Sequence, residues 1–269
     1  MSTDTLGFYG GATLNASQLP NLSEMEIVGA ANGTFVAIWV DSSGIGTDTS
    51  GSGLVVQIFD ALGRPLIPEG QANTLSTFGN QSEVDLIAMS DGGAAFVYTT
   101  EFSSTDRDII YERRDAQGVV VNRAVIDNSL ADERSAAITE FGNNGLFVVY
   151  EDSTSGGVTS IRGRTADAAG NVSGEIIIDQ QSDNNLGPAI ATLNNGNAVI
   201  AYENEVSLNG SSVVRYTLVT QALGLAGFAD ITSPDNISNV DVAAIANGGF
   251  VLTWQETDTS GIDQVYFSV

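Results

Sequence analysis

The sequence predicts an all-β chain, a five-bladed β-propeller with four antiparallel strands in each blade. Three observations predict it. An aromatic residue recurs at Trp39, Tyr98, Tyr150, Tyr202 and Trp254, first after 59 residues and then three times after 52. A turn of the form Asp-Ala-x-Gly recurs in phase at Asp60–Gly63, Asp115–Gly118 and Asp167–Gly170, with Gln221–Gly224 as a variant. The fifth copy of that turn is not near the C-terminus but at Asp4–Gly7. Repeats of about 50 residues made of short strands mark propeller blades. A repeat divided between the two ends marks a ring whose cut falls inside one unit.

Each unit divides into four short apolar or alternating runs separated by turn residues. In the second unit the strands are expected at 83–90, 94–100, 108–114 and 119–127. In the third they are expected at 135–141, 146–151, 158–164 and 172–179. The first two strands of every unit are joined by Gly- and Asn-rich turns, the residues that accept the positive φ of a tight hairpin. The second strand is apolar on both sides (FVAIW, AAFVY, LFVVY, AVIAY, FVLTW). That pattern suits a sheet covered on both faces by neighbouring blades, with the repeated aromatic filling the space between them. The first strands then line a central channel and the fourth strands form the rim. No stretch carries a sustained helical period, so no helix is expected.

The whole chain, 1–269, reads as one domain with repeats at about 22–78, 79–129, 130–181, 182–235 and 236–269, the last completed by 1–21. Its strands are expected at 239–246, 250–254 and 264–269, with Phe8–Ala16 as the fourth. Such a latch removes the exposed sheet edges.

Composition excludes much chemistry. All nine basic residues are Arg, against 33 acidic ones, giving a net charge of −24 with no Lys, His or Cys. This balance repels nucleic acids and anionic membranes. A Ser-His-Asp triad, a thiol nucleophile, a Schiff-base lysine and a Cys/His zinc site are all ruled out. Catalysis is left to carboxylates, hydroxyls, Arg and hard cations. No run is long and apolar enough to insert in a membrane, and the first residues lack the features of a cleaved signal peptide.

Two stretches, IANGGFVLTWQETDTSGIDQVYFSV (245–269) and DIIYERRDAQGVVVNRAVIDN (108–128), carry a family resemblance. They are similar to propeller-like repeats of large bacterial secreted proteins of the RTX and adhesin type. The resemblance implies an extracellular or cell-surface setting in bacteria, calcium nearby and no known catalysis.

Four groups of residues are candidate sites. The loops between second and third strands are acidic and rich in hydroxyls, and Asp41 with Asp48, Glu151 with Asp152, and Asp258 with Asp263 offer oxygens suited to calcium. Thirteen residues before three of the repeat aromatics stand Glu26, Asp85 and Asp241, in units that neighbour one another in a ring, with Glu24 and Glu83 two residues earlier. Carboxylates held close raise one another's pKa, as acid/base pairs require. Arg113, Arg114, Arg162 and Arg164 fall on third strands of adjacent units and form a candidate basic docking patch. Phe102 lies in a polar loop as a candidate exposed contact.

The leading expectation is therefore a non-enzymatic extracellular or surface module that binds a glycan or a protein partner, with calcium-stabilised loops. One alternative is a glycan-active enzyme with Asp85 or Glu26 as nucleophile or base and Asp241 as acid. Another is a self-assembling surface subunit.

Overall fold

The computed structural model describes residues 22–44, 46–153, 157–180, 183–206 and 211–269. Five blades follow one another along the chain, the second and third linked into one eight-stranded sheet by a parallel pairing of Arg107 with Asp132. The first contains β1 (Leu22–Gly29), β2 (Phe35–Asp41), β3 (Gly53–Phe59) and β4 (Gly70–Gln71). The second contains β5 (Asn80–Ala88), β6 (Ala94–Ser103), β7 (Asp106–Arg114) and β8 (Val120–Asp127). The third contains β9 (Asp132–Phe141), β10 (Gly145–Ser153), β11 (Thr159–Ala166) and β12 (Ile176–Asp179). The fourth contains β13 (Asn184–Thr192), β14 (Ala198–Val206), β15 (Ser211–Val219) and β16 (Leu225–Thr232). The fifth contains β17 (Asn236–Ala244), β18 (Phe250–Thr257) and β19 (Asp263–Ser268).

Within each blade the strands pair in sequence order and antiparallel. Among the described residues there is no helix, and so none able to cross a membrane. The expected closing strand Phe8–Ala16 and the turn Asp4–Gly7 lie outside the described residues.

The outer strand of the first blade departs from expectation. It shrinks to the two residues of β4. Pro65 and Pro68 stand in the preceding run and have no N–H to give to a ladder. The Asp-Ala-x-Gly turns behave as their composition requires. The Asp60 Oδ1 accepts from the N–H groups of Leu62 and Arg64, both at 2.9 Å. Asp115 and Asp167 repeat the device at the same distances. The glycine that follows each has φ between +76° and +91°, where a Cβ is costly.

The blades bury one another's faces. Ile38, Leu54, Phe96 and Tyr98 pack in the seam between the first two blades. Val97, Tyr111, Val148 and Tyr150 fill the next. Phe147, Ile161 and Tyr202 fill the third seam, and Val199, Val214 and Trp254 the fourth. Four of the repeat aromatics, Tyr98, Tyr150, Tyr202 and Trp254, are thus seam fillers, while Trp39 packs on Ala37, Val55 and Phe59 of its own blade.

One periodic feature is invisible in the composition of the repeats. Glu24, Glu83, Ser135, Gly187 and Asn239 all adopt left-handed φ between +47° and +57°, one in each innermost strand. The ladder register shifts beside them, for example between Ser82 and Asp85 and between Ser238 and Asp241. Each innermost strand therefore carries a bulge at the same height. A bulge re-aims the side chains that follow it.

Candidate active site

Glu26 on β1, Asp85 on β5 and Asp241 on β17 each stand two residues after a bulge residue. Asp85 and Asp241 line one cavity of about 380 Å³, together with Ile87 on the strand of Asp85 and Ala137, Pro188 and Ala189 from the intervening blades. This volume lies within the range of small-molecule sites. The Asp85 Oδ2 accepts a hydrogen bond from the Ile138 N–H at 2.8 Å, across the seam to the next blade. Burial pushes the Asp85 carboxyl up to about 6, and the neighbouring charges of Glu26 and Asp241 push in the same direction. Partial burial also raises Glu26. The three residues picked by spacing are electrostatic neighbours around one channel.

A second cavity of about 470 Å³ forms the mouth of this channel, lined by Glu83, Ser135, Glu203, Ser238 and Asn239. Glu83 is held in place. Its Oε2 accepts from the Thr99 hydroxyl at 2.9 Å and from the Ser135 N–H at 2.8 Å, while its own N–H donates to Glu24. Burial pushes Glu203 up to about 7, the charges of Glu205 and Glu151 adding to it against a hydrogen bond with Ser212. Sequence reasoning missed Glu203. Its signal was available, because it directly follows the repeat aromatic Tyr202 as Glu151 follows Tyr150. The opposite end of the channel holds a larger cavity, about 820 Å³, whose one carboxylate, Glu140, is occupied by the N–H and hydroxyl of Ser90.

The loop carboxylates are not brought together as a calcium site. Among the described residues no group of three or more acidic side chains is arranged to hold a metal ion. Their oxygens face N–H and O–H donors instead. Asp41 accepts from the Ser43 N–H at 2.6 Å. Asp48 accepts from the Asn73 amide at 2.5 Å. Glu151 accepts from the Arg134 guanidinium at 2.9 Å and the Gly187 N–H at 2.8 Å. Asp152 faces the Arg162 guanidinium at 3.8 Å. Asp258 caps a turn through the N–H groups of Ser260 and Ile262, and Asp263 accepts from the Thr257 hydroxyl.

The four arginines are not a docking patch either. Arg113 pairs with Asp91 and donates to the Asn144 carbonyl. Arg114 pairs with Glu112 and donates to the Gln71 carbonyl. Arg162 lies by Glu175 and Gln180, and Arg164 pairs with Asp127 at 3.0 Å. In a chain this acidic, each guanidinium finds carboxylates before any partner does. Phe102, by contrast, is exposed as expected, and it stacks on Phe78 with ring centroids 5.6 Å apart.

No family model matches the sequence, and no curated protein matches it. Solved structures do share the fold. A protein of unknown function from Dyadobacter fermentans superposes with a TM-score of 0.61 at 11% identity, over 90% of this chain and 77% of that one. A thermostable family-43 glycoside hydrolase superposes at 0.53 and 9% identity, over 91% and 88%. An α-L-arabinanase from Penicillium chrysogenum, complexed with arabinobiose, superposes at 0.53 and 12% identity, over 91% and 92%. At these identities the likeness establishes the fold, a five-bladed propeller.

It also corrects two expectations. The structural company of this chain is glycoside hydrolase propellers and not repeats of RTX or adhesin-type secreted proteins. The expectation of a non-enzymatic module came with that resemblance and falls with it.

Proposed function

We propose that the protein is a glycan-active enzyme that hydrolyses glycosidic bonds at the channel carboxylates. The observation that carries this reading is the placement of Asp85 and Asp241 in one cavity, with Glu26 near enough to hold a proton on Asp85. Support comes also from the propeller scaffold shared with a family-43 glycoside hydrolase and an arabinanase.

Asp85 is the general acid. Half-buried and with its carboxyl raised to about 6, it keeps a proton at mildly acidic pH. This reverses the assignment made from spacing, which gave the acid to Asp241. As the bond between the anomeric carbon and the leaving oxygen breaks, that oxygen takes the proton of Asp85. Asp241, across the same cavity, takes a proton from the attacking water, whose oxygen bonds to the anomeric carbon. If the two carboxyls close to about 5 Å around substrate, Asp241 attacks directly and water resolves the glycosyl intermediate. Burial keeps the proton on Asp85, and the neighbouring charge of Glu26 adds to it.

An extracellular or surface setting, where structural polysaccharides are met, belongs to the same proposal. Reducing-sugar release from a panel of neutral polysaccharides tests it. Activity in the natural chain that disappears in Asp85→Asn and Asp241→Asn, both folded, is the expected result. No release from any polysaccharide, or release undiminished in both variants, ends the reading.

A further inference from the structure

Phe78 and Phe102 are 59% and 43% exposed and stack nearly parallel, at an interplanar angle of 16°. Phe78 stands in the connection leading into β5, and Phe102 near the end of β6, where Asn80 pairs with Glu101. Along β5 the chain runs from this point to Glu83 at the channel mouth and then to Asp85 inside it. The ring pair therefore occupies the same face as the mouth. Six residues separate Phe78 from Asp85, a path of at most about 23 Å at the rise of a strand, shortened by the turn at Gly79 and the bulge at Glu83.

The pair is built rather than incidental. Gly79 has φ +70°, and a Cβ there would stand 2.0 Å from the Glu101 carbonyl oxygen, so only glycine lets the two segments approach. The fully buried Gln81 donates its amide to the Phe78 carbonyl at 2.9 Å. The Gly79 N–H donates to the Ser50 hydroxyl at 3.3 Å. The Asn80 amide donates to Glu101 at 2.9 Å, while its carbonyl accepts from the Ser52 N–H. The Phe78 carbonyl and the Gly79 N–H are tied down, and the stacked rings stay exposed to solvent.

We propose that Phe78 and Phe102 form a stacking platform for a neutral polysaccharide, a subsite remote from the channel. The proposal rests on the glycan-active reading and names its substrate class: an uncharged polymer long enough to reach from the rings to Asp85. The negative face of an aromatic ring receives the polarised C–H face of a sugar ring. With a net charge of −24 the chain repels polyanionic glycans such as uronate polymers. The nearest acid, Glu101, is already engaged by Asn80, so a basic peptide gains little there. A single sugar in the channel cannot span the separation, so the rings act only on chains of several units.

The test is native electrophoresis of the full chain in gels containing arabinan, galactan, xylan, glucomannan or, as the anionic control, polygalacturonate. Phe78→Ala and Phe102→Ala run beside the natural chain, with melting temperatures taken to confirm that both fold. At least one neutral polysaccharide retards the natural chain, each substitution weakens that retardation at least tenfold, and polygalacturonate does nothing. Absence of retardation in every neutral gel overturns the platform, as does retardation that both variants retain. A mobility change equally present in plain gels and abolished by the substitutions identifies the rings as a self-association surface and overturns it too. Retardation without hydrolysis sinks the enzyme and leaves the platform standing. Hydrolysis of short oligosaccharides without ring-dependent retardation does the reverse.

Discussion

Tyr150 donates its hydroxyl hydrogen to Asp127 Oδ2 at 2.5 Å, across the seam between the second and third blades. One repeat later Tyr202 does the same to Asp179 at 2.7 Å. In both seams an arginine of the third strand, Arg164 or Arg215, closes on the same carboxylate at 3.0 and 3.3 Å. The last residue of one blade is thereby pinned to the centre of the next. Both tyrosines are fully buried, so the hydroxyl has no water to fall back on.

Replacing Tyr150 or Tyr202 by Phe removes a hydrogen bond to a charged acceptor while keeping the ring. Each substitution is expected to cost about 1.5–3 kcal/mol. The sites lie in different seams and share no partner, so the double substitution should cost close to the sum. Urea unfolding of the two single variants and the double checks both statements.

The fold was legible because its signals are local. A seam aromatic inside an apolar run, or an aspartate capping its own turn as Asp115 does, is written within a few neighbouring residues. The site was half legible. Glu26, Asp85 and Asp241 share a spacing from the repeat aromatics, so periodicity alone placed them together. The bulges were not, because Glu24, Ser135 and Asn239 adopt the same left-handed φ with no residue type in common. The partners of the loop acids were hidden by distance in sequence. Asp48 finds Asn73, 25 residues on, and Glu151 finds Gly187, 36 residues on. Counting oxygens in a loop therefore suggested calcium where the fold had already supplied N–H donors.

Glu133 on β9 predicts a pH dependence of stability. It is fully buried, with Oε2 unpartnered, and burial with the charges of Asp127, Asp152 and Asp108 pushes it up to about 8. Its folded pKa lies above its unfolded one, so the folded state holds the proton more tightly. Stability from this group is full below about pH 4.5 and is lost as pH rises toward 8. Gln81 and Asn185 fill the equivalent buried position one repeat before and after. A neutral amide thus fits there. Glu133→Gln is expected to leave the melting temperature unchanged near pH 4.5 and to raise it at pH 8, measured across a pH series.

Gly79 and Gly63 separate two reasons for a glycine. Their φ angles are alike, +70° and +76°. A Cβ on Gly79 meets the Glu101 carbonyl, whereas one on Gly63 meets nothing within 4 Å. Gly63→Ala carries only the left-handed cost of about 1–2 kcal/mol. Gly79→Ala adds a backbone clash and is expected to cost clearly more, as well as displacing Phe78. Denaturant midpoints give the two costs, and the affinity gels report the displaced ring.

Asp85 makes the sharpest prediction about chemistry. As the general acid it works only while protonated, so kcat/KM falls as pH rises through about 6. Removing the like charge beside it, in Glu26→Gln, lowers the Asp85 pKa and shifts that alkaline limb to lower pH. Asp85→Asn is expected to lose about 10²–10⁴-fold in kcat on ordinary glycosidic bonds, the usual contribution of a positioned acid. A dinitrophenyl glycoside needs no proton on its leaving oxygen, so the same variant should keep most of its rate on that substrate. Asp241→Asn should fail on both, since it removes the group acting at the anomeric carbon. An Asp85→Asn variant equally slow on both substrates would overturn the assignment of Asp85 as the acid, since the Asn oxygen can still accept the Ile138 N–H that ties this strand to the next blade.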